Sequence, residues 1–184
     1  RDGNGGKIMQ ENKSIFEGTI LMNKVPVSFA ERELFDGKVA IWLPEDFQEL
    51  PPKTIEEIYP LANMPKLVLG NDYLDLFVGF RYTEHEIPEE SMGEFLEIVR
   101  MMLEQTGPRI KILAEKETVI GSHMVSSLDL ITHTPTDEVY HKLFFCLLDG
   151  KVLMGFINFS CSHHYQSIAE EIFQSFHFID VEVC

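Results

Sequence analysis

A cysteine and two histidines near the carboxyl end are this sequence's nearest approach to a catalytic or metal-binding cluster. Cys161, His163 and His164 carry a thiol and two imidazoles, the groups that bind Zn²⁺ or form an activated nucleophile. Structural zinc requires four ligands, and no second pair of such residues stands at a usable spacing. The pattern favours a cysteine at a strand end followed by polar residues that cap a helix. A metal-dependent hydrolase is the alternative.

The remaining histidines and cysteines give weaker signals. His123, His133 and His141 could converge across adjacent antiparallel strands, but each lies in a segment of mixed polarity, where a hydrogen-bonded histidine is commoner than a ligand. Cys146 lies in an apolar run, where burial raises the pKa of a thiol. No Gly-x-Ser-x-Gly elbow and no phosphate-binding glycine loop is present. We therefore expect no catalytic residue, no metal ion and no cofactor, and a chain that is not an enzyme.

The densest acidic stretch is a run of six glutamates without an intervening lysine or arginine. Its members are Glu84, Glu86, Glu89, Glu90, Glu94 and Glu97. Such a cluster usually forms a solvated face, and the alternative is a docking surface for a basic protein partner. Trp42 and Phe47 are expected to anchor the core, with an exposed aromatic contact as the alternative.

Composition narrows the class of protein. The 184 residues include 30 acidic and 15 basic side chains, a formal charge of −15 that argues against nucleic-acid and membrane-surface partners. Three cysteines without a CxxC pair fit a reducing, cytoplasmic location. The longest apolar run, Leu143–Leu148, falls far short of the roughly 18 residues that a membrane span needs. We therefore expect no membrane insertion.

The chain reads as one domain preceded by a tail. Residues 1–13 are rich in glycine and poor in apolar residues, which predicts a flexible tail or an expression remnant. The chain begins without methionine, so a removed targeting segment stays open. Residues 14–184 contain no linker or repeat and are predicted to form a single domain.

The elements that would position these residues are mostly short strands. Strands are predicted over Ile15–Met22, Val25–Ala30, Lys38–Leu43, Lys66–Leu69, Tyr73–Tyr82, Ile110–Lys116, Val119–Thr132, Val139–Leu148 and Val152–Phe159. Turns are predicted at Gly121 and at Pro135–Asp137. The Asp149–Gly150 pair between the last two strands is the strongest hairpin signal, because its residues tolerate the positive φ of a type I′ turn.

Three helices are predicted. A short one is capped by Thr54, a second runs from Pro88 to Thr106, and a third from His163 to Phe176. The apolar stripe of the second helix comprises Met92, Phe95, Leu96, Val99, Met102 and Leu103. Strands mostly follow one another without a helix between them, so the class is α+β with a mainly antiparallel central sheet packed by helices. Val139–Leu148 is apolar on both faces, as expected of a strand covered on both sides.

The order of several short motifs is more specific than any one of them. They are Ile41–Phe47, Ile58–Pro60, Met64–Pro65, Asp72–Phe80, Asp149–Phe156 and Ile168–Ile172. In this order they resemble a family of uncharacterised bacterial proteins with the fold shared by the photosystem extrinsic protein PsbP, the yeast Ran-binding protein Mog and DcrB-like domains. The resemblance spans about residues 24–178.

The resemblance implies an α/β/α sandwich and a protein that binds other proteins rather than catalyses. The leading hypothesis is therefore a non-enzymatic protein-binding or adaptor domain whose partner is basic or hydrophobic. A DcrB-like chaperone for hydrophobic segments of secreted proteins is a second hypothesis, and it predicts a homodimer with a large exposed apolar patch. The motifs are structural, so the resemblance assigns no functional residue.

Overall fold

The computed structural model describes residues 14–58, 67–105 and 109–180, with the side chains of residues 58, 84 and 85 left out. The predicted tail at residues 1–13, the Tyr59–Pro60 and Met64–Pro65 motifs, and Cys184 lie outside the described residues. The strands are β1 (Ile20–Met22), β2 (Val25–Val27), β3 (Phe29–Leu34), β4 (Val39–Pro44), β5 (Gln48–Glu49), β6 (Leu67–Gly70), β7 (Leu76–Glu86), β8 (Ile110–Ile120), β9 (His123–His133), β10 (Glu138–Leu148), β11 (Lys151–Ser160) and β12 (His177–Phe178). The helices are α1 (Pro52–Ile58), α2 (Met92–Gln105) and α3 (Gln166–Ser175), and a 3-10 turn at Glu89–Ser91 precedes α2.

The described strands form three antiparallel sheets. Seven strands make the largest, in the order β5-β6-β7-β11-β10-β9-β8, while β12-β4-β3 and β1-β2 form two smaller sheets. The class is therefore a sheet-rich α+β fold, as predicted. The predicted central sheet corresponds to the seven-stranded one, and β1–β4 pair outside it, which the sequence had not specified.

The predicted hairpin at Asp149–Gly150 is confirmed. Asp149 and Gly150 have φ values of 51° and 76°, the positive pair that a type I′ turn needs. Leu148 pairs with Lys151 directly across the turn, and β10 and β11 then pair without interruption to Val139 and Ser160. A local signal of two residues thus fixes the register at the centre of the sheet.

Adjacent residues of β10 contribute to two different cores. Phe144 and Phe145 are both buried, and successive side chains of a strand point to opposite faces. On one face the Phe144 ring lies 5.3 Å from the ring of Phe173 in α3. On the other, the Phe145 ring lies 6.1 Å from Phe95 in α2. Phe144 and Phe145 thus contact aromatic rings on opposite faces of β10.

Several predicted element boundaries were wrong by a few residues. The strand expected from Val119 begins at His123, because Val119 and Ile120 complete β8 before the Gly121 turn. The helix expected after a Thr54 cap begins at Pro52, because the amide of Ile55 already donates to the carbonyl of Pro51 at 3.1 Å. The strand expected to end at Tyr82 continues to Glu86.

Further differences concern the starts of two elements and the exposure of one residue of α2. The strand expected from Ile15 begins at Ile20, and the helix expected from His163 begins at Gln166, since the amide of His163 closes a turn onto the carbonyl of Ser160. Met102, expected in the apolar stripe of α2, is 59% exposed.

Among the described residues, none of the helices has the length and apolar character that crossing a membrane requires.

Candidate functional site

A groove lies in the described surface where α2 begins, beside the tip of the β8–β9 hairpin. We call it the hairpin-end groove, and its volume is about 780 Å³. That size is within the range of protein binding pockets, roughly 300–1,000 Å³. The groove is lined by Ile87, Pro88, Glu89, Met92, Gly93, Leu96, Glu117, Ser122, His123, Met124, Ser126, Leu147, Asp149 and Gly150.

The sheet contributes Met124 and Ser126 of β9 and Leu147 of β10 to the groove, and we call this part its floor. Ser126 lies directly opposite Phe145 in the β9–β10 pair, so Met124, two residues away, is on the same face as Phe145. Val119 is the cross-strand partner of Met124. Their exposed fractions are 63% for Val119 and 48% for Met124, so this end of the α2 face is apolar and open.

Carboxylates occupy the rim of the groove. Glu89 precedes α2, Glu117 lies on β8, and Asp149 is in the β10–β11 turn. Asp149 forms an exposed ion pair with Lys38. Within the described residues, Glu89 and Glu117 have no ion-pair partner, and the lining contains no lysine or arginine. The groove therefore joins an apolar floor to an acidic rim.

The predicted acidic run contributes only one residue to this lining. Glu89 is in the groove, whereas the side chains of Glu86, Glu90, Glu94 and Glu97 are exposed around the start of α2. Glu84 is on β7, and its side chain lies outside the described set. The run therefore continues from a strand end into a helix, and a docking role for it stays a prediction.

Cys161, His163 and His164 lie in the connection between β11 and α3, where the contacts are structural. His163 contacts Asn23 through Nδ1 at 2.9 Å and Asp75 through Nε2 at 3.4 Å. Its ring is stacked on Tyr165 at 4.9 Å. Burial, and then the charge of Glu138, raises the pKa of the Cys161 thiol, which is the wrong direction for a thiolate nucleophile. Across the described ranges, no three His, Cys, Asp or Glu side chains are placed to hold a metal ion.

The three strand histidines do not converge. His123 and His133 are at opposite ends of β9. His123 lines the groove and stacks on Phe178 at 3.7 Å, while His133 contacts Glu138 at 3.1 Å. His141 exchanges a hydrogen bond with Thr132 at 2.9 Å. Each histidine therefore has its own local partner.

Acidic pH is expected to destabilise the fold through His141. Burial lowers the pKa of His141 from 6.5 to about 4, so the folded chain holds it neutral where the unfolded chain would protonate it. Its contribution is intact above pH 6.5 and is lost as the pH falls towards 4, with a loss of about 2 kcal/mol by pH 5. Urea unfolding between pH 7 and 5 measures this. His141→Gln should flatten the profile, and equal slopes for both proteins would contradict the assignment.

The remaining sequence candidates belong to the core. Cys146 is fully buried, and burial raises the pKa of its thiol to about 12. Phe47 is 1% exposed, and the partly buried Trp42 meets Phe16 edge-on at 5.0 Å. Both aromatic residues therefore anchor the fold, as predicted.

The chain is a sheet-rich α+β domain with a groove beside the β8–β9 hairpin. The solution structure of cyanobacterial PsbP from Synechocystis sp. PCC 6803 is similar to this chain at TM-score 0.57 and 9% identity, covering 83% of this chain and 94% of that one. The chain thus has the PsbP-like fold that its motifs had suggested. Identity this low shows the fold alone.

Two other solved structures have lower similarity. LpqN of Mycobacterium tuberculosis, which is involved in cell envelope biogenesis, gives TM-score 0.48 at 12% identity, covering 86% of this chain and 95% of that one. PA94 of Pseudomonas aeruginosa, a protein of unknown function, gives TM-score 0.47 at 11% identity, covering 80% and 94%. No protein-family model matches the sequence. No curated protein matches it either.

Proposed function

We propose that this chain is a non-enzymatic protein-binding domain and that the hairpin-end groove is its binding surface. The observation that carries the proposal is exposed apolar surface at the groove: Met124 in its lining and, beside the groove, Val119, the cross-strand partner of Met124. Apolar surface of this kind gains free energy when a partner removes it from water, at about 25 cal/mol per Å².

The proposed architecture behind this surface is the α/β/α sandwich. It is supported by the contacts of Phe145 with α2 and of Phe144 with α3 on opposite faces of β10. In such a sandwich a helix shields each face of the sheet. Near the end of the β8–β9 hairpin, Val119 and Met124 remain exposed on the α2 face.

Filling the groove is expected to abolish binding. A Cβ added to Gly93 would meet no atom within 4 Å, so Gly93→Phe can occupy the groove without disturbing the backbone or adding charge. Random peptides displayed on phage would be selected against the wild-type chain, and the enriched peptides then titrated against both proteins. We expect at least a tenfold loss of affinity for Gly93→Phe, or about 1.4 kcal/mol.

Two further variants complete this experiment. Met124→Ser removes an apolar side chain from the floor and should also weaken binding, whereas Leu21→Ser changes a residue that is 66% exposed outside the groove and should not. Selections that enrich no peptide, or peptides that bind Gly93→Phe as tightly as the wild type, would contradict the proposed function.

A chaperone for hydrophobic segments of secreted proteins is the second candidate. The cross-strand pair of exposed side chains, Val119 and Met124, favours it, because methionine adapts to varied apolar ligands. This candidate requires a dimer. The mass of the purified protein measured by light scattering therefore separates it from a monomeric adaptor.

A further inference from the structure

We infer that the segment bound in the hairpin-end groove joins apolar side chains to lysine or arginine residues. The inference rests on the proposed function, and it adds the chemistry of the partner. The apolar floor of the groove favours apolar side chains in the bound segment, and its acidic rim favours lysine or arginine.

The floor selects apolar side chains of flexible shape. Met92 and Met124 both line the groove, one from α2 and the other from β9, and Leu147 lines it from β10. Methionine side chains are unbranched and adjust to the shape of what they contact. A short apolar segment, rather than one rigid ring, is therefore the occupant that this floor fits.

The rim selects positive charge. Glu89 and Glu117 border the floor, and within the described residues neither has an ion-pair partner. Glu86 and Glu90 add two exposed carboxylates close in sequence to Glu89. A bound segment that carried acidic residues would bring like charges together while excluding water, which is costly. A segment with flanking cations would instead meet complementary charge.

Two positive contributions oppose these carboxylates: Lys38, which pairs with the rim residue Asp149 and offsets its charge, and the start of α2. Met92, the first residue of α2, is in the lining, so the positive end of the helix dipole lies at the groove. That end is equivalent to about half an elementary charge. Two full carboxylate charges at Glu89 and Glu117 outweigh it, and the net field at the groove is negative.

The test compares two labelled peptides with one apolar centre of alanine, leucine and methionine, flanked at both ends by lysines in one and by glutamates in the other. Fluorescence polarisation with the full chain should show the lysine-flanked peptide binding about tenfold more tightly at low salt. The difference should shrink at 1 M salt, where the screening length is about 3 Å.

Matched variants locate the charge effect. Glu89→Gln with Glu117→Gln should remove most of the lysine preference. Glu56→Gln with Glu57→Gln removes two exposed charges from α1, outside the groove, and should leave the preference unchanged. The inference would be overturned if both peptides bound equally, or if the glutamate-flanked peptide bound more tightly. If Gly93→Phe abolished that binding, the proposed function would still stand.

The other outcomes bear on the groove itself. If neither peptide binds, or if both bind Gly93→Phe as tightly as the wild type, the proposed function fails together with the inference. If light scattering shows a dimer that Gly93→Phe converts to a monomer, the groove is filled by a second copy of this chain, and the inference of a cationic segment is overturned.

Discussion

Replacing Lys142 with methionine is expected to lower the free energy of unfolding by about 3–5 kcal/mol, the usual cost of breaking a buried ion pair from one side. Methionine retains most of the volume and the unbranched shape of lysine, so the loss would come from charge rather than from a cavity. Urea unfolding of the two proteins at pH 7 measures the difference.

The reason is that two carboxylates share one buried ammonium group. The Nζ atom of Lys142 lies 3.0 Å from Asp129 and 2.7 Å from Glu170, and the lysine side chain is only 2% exposed. The same atom stands 4.7 Å above the ring of Phe173. Without Lys142, the Asp129 side chain, 16% exposed, would hold an uncompensated charge. Glu170 is 39% exposed and can turn towards water.

A second substitution separates charge from packing. If the loss comes mainly from stranded charge on Asp129, then adding Asp129→Asn to Lys142→Met should recover a large part of the lost stability, while adding Glu170→Gln should recover little. Equal stability of Lys142→Met and the wild type would contradict this account and would mean that the buried charges contribute nothing net.

The burial of Lys142 was predictable from the sequence, but the identity of its partners was not. Lys142 is in phase with Tyr140, Phe144 and Cys146, so the period of two along β10 places it on the α3 face. A buried lysine needs a carboxylate nearby, so the pattern predicts an acidic partner but does not identify the residue. Asp129 is opposite Lys142 in the neighbouring strand, and Glu170 comes from α3. These partners are set by strand pairing and helix docking, which bring together residues that are far apart in sequence.

The same division between local and long-range information applies to the rest of the fold. The Asp149–Gly150 turn and the presence of α2 and α3 were predictable, because each depends on residues close together in sequence. The partition of the strands into three sheets was not, since the alternation that marks a strand does not say which strand it pairs with. The groove joins residues from Ile87 to Gly150. Of its lining, only Glu89 was a predicted site residue.

Replacing Gly155 with alanine is expected to cost about 3 kcal/mol, the upper end of the usual cost of overpacking, although glycine to alanine within a strand ordinarily stabilises by up to about 1 kcal/mol. Gly155 pairs directly with Phe144, and an added Cβ would lie 2.1 Å from Cζ of that ring. The glycine is therefore required by the aromatic ring that lies across it.

The ring cannot move aside, because other aromatic rings surround it. The ring centres of Phe173 and Phe176 each lie 5.3 Å from that of Phe144, and Phe80 lies 5.9 Å away. Gly93→Ala, a change made in open space, is the matched control and should stabilise slightly. Shortening the ring with Phe144→Leu should partly rescue Gly155→Ala, so that the two changes together cost less than their sum. Purely additive losses in thermal or urea unfolding would show that the contact between Gly155 and Phe144 does not limit this core.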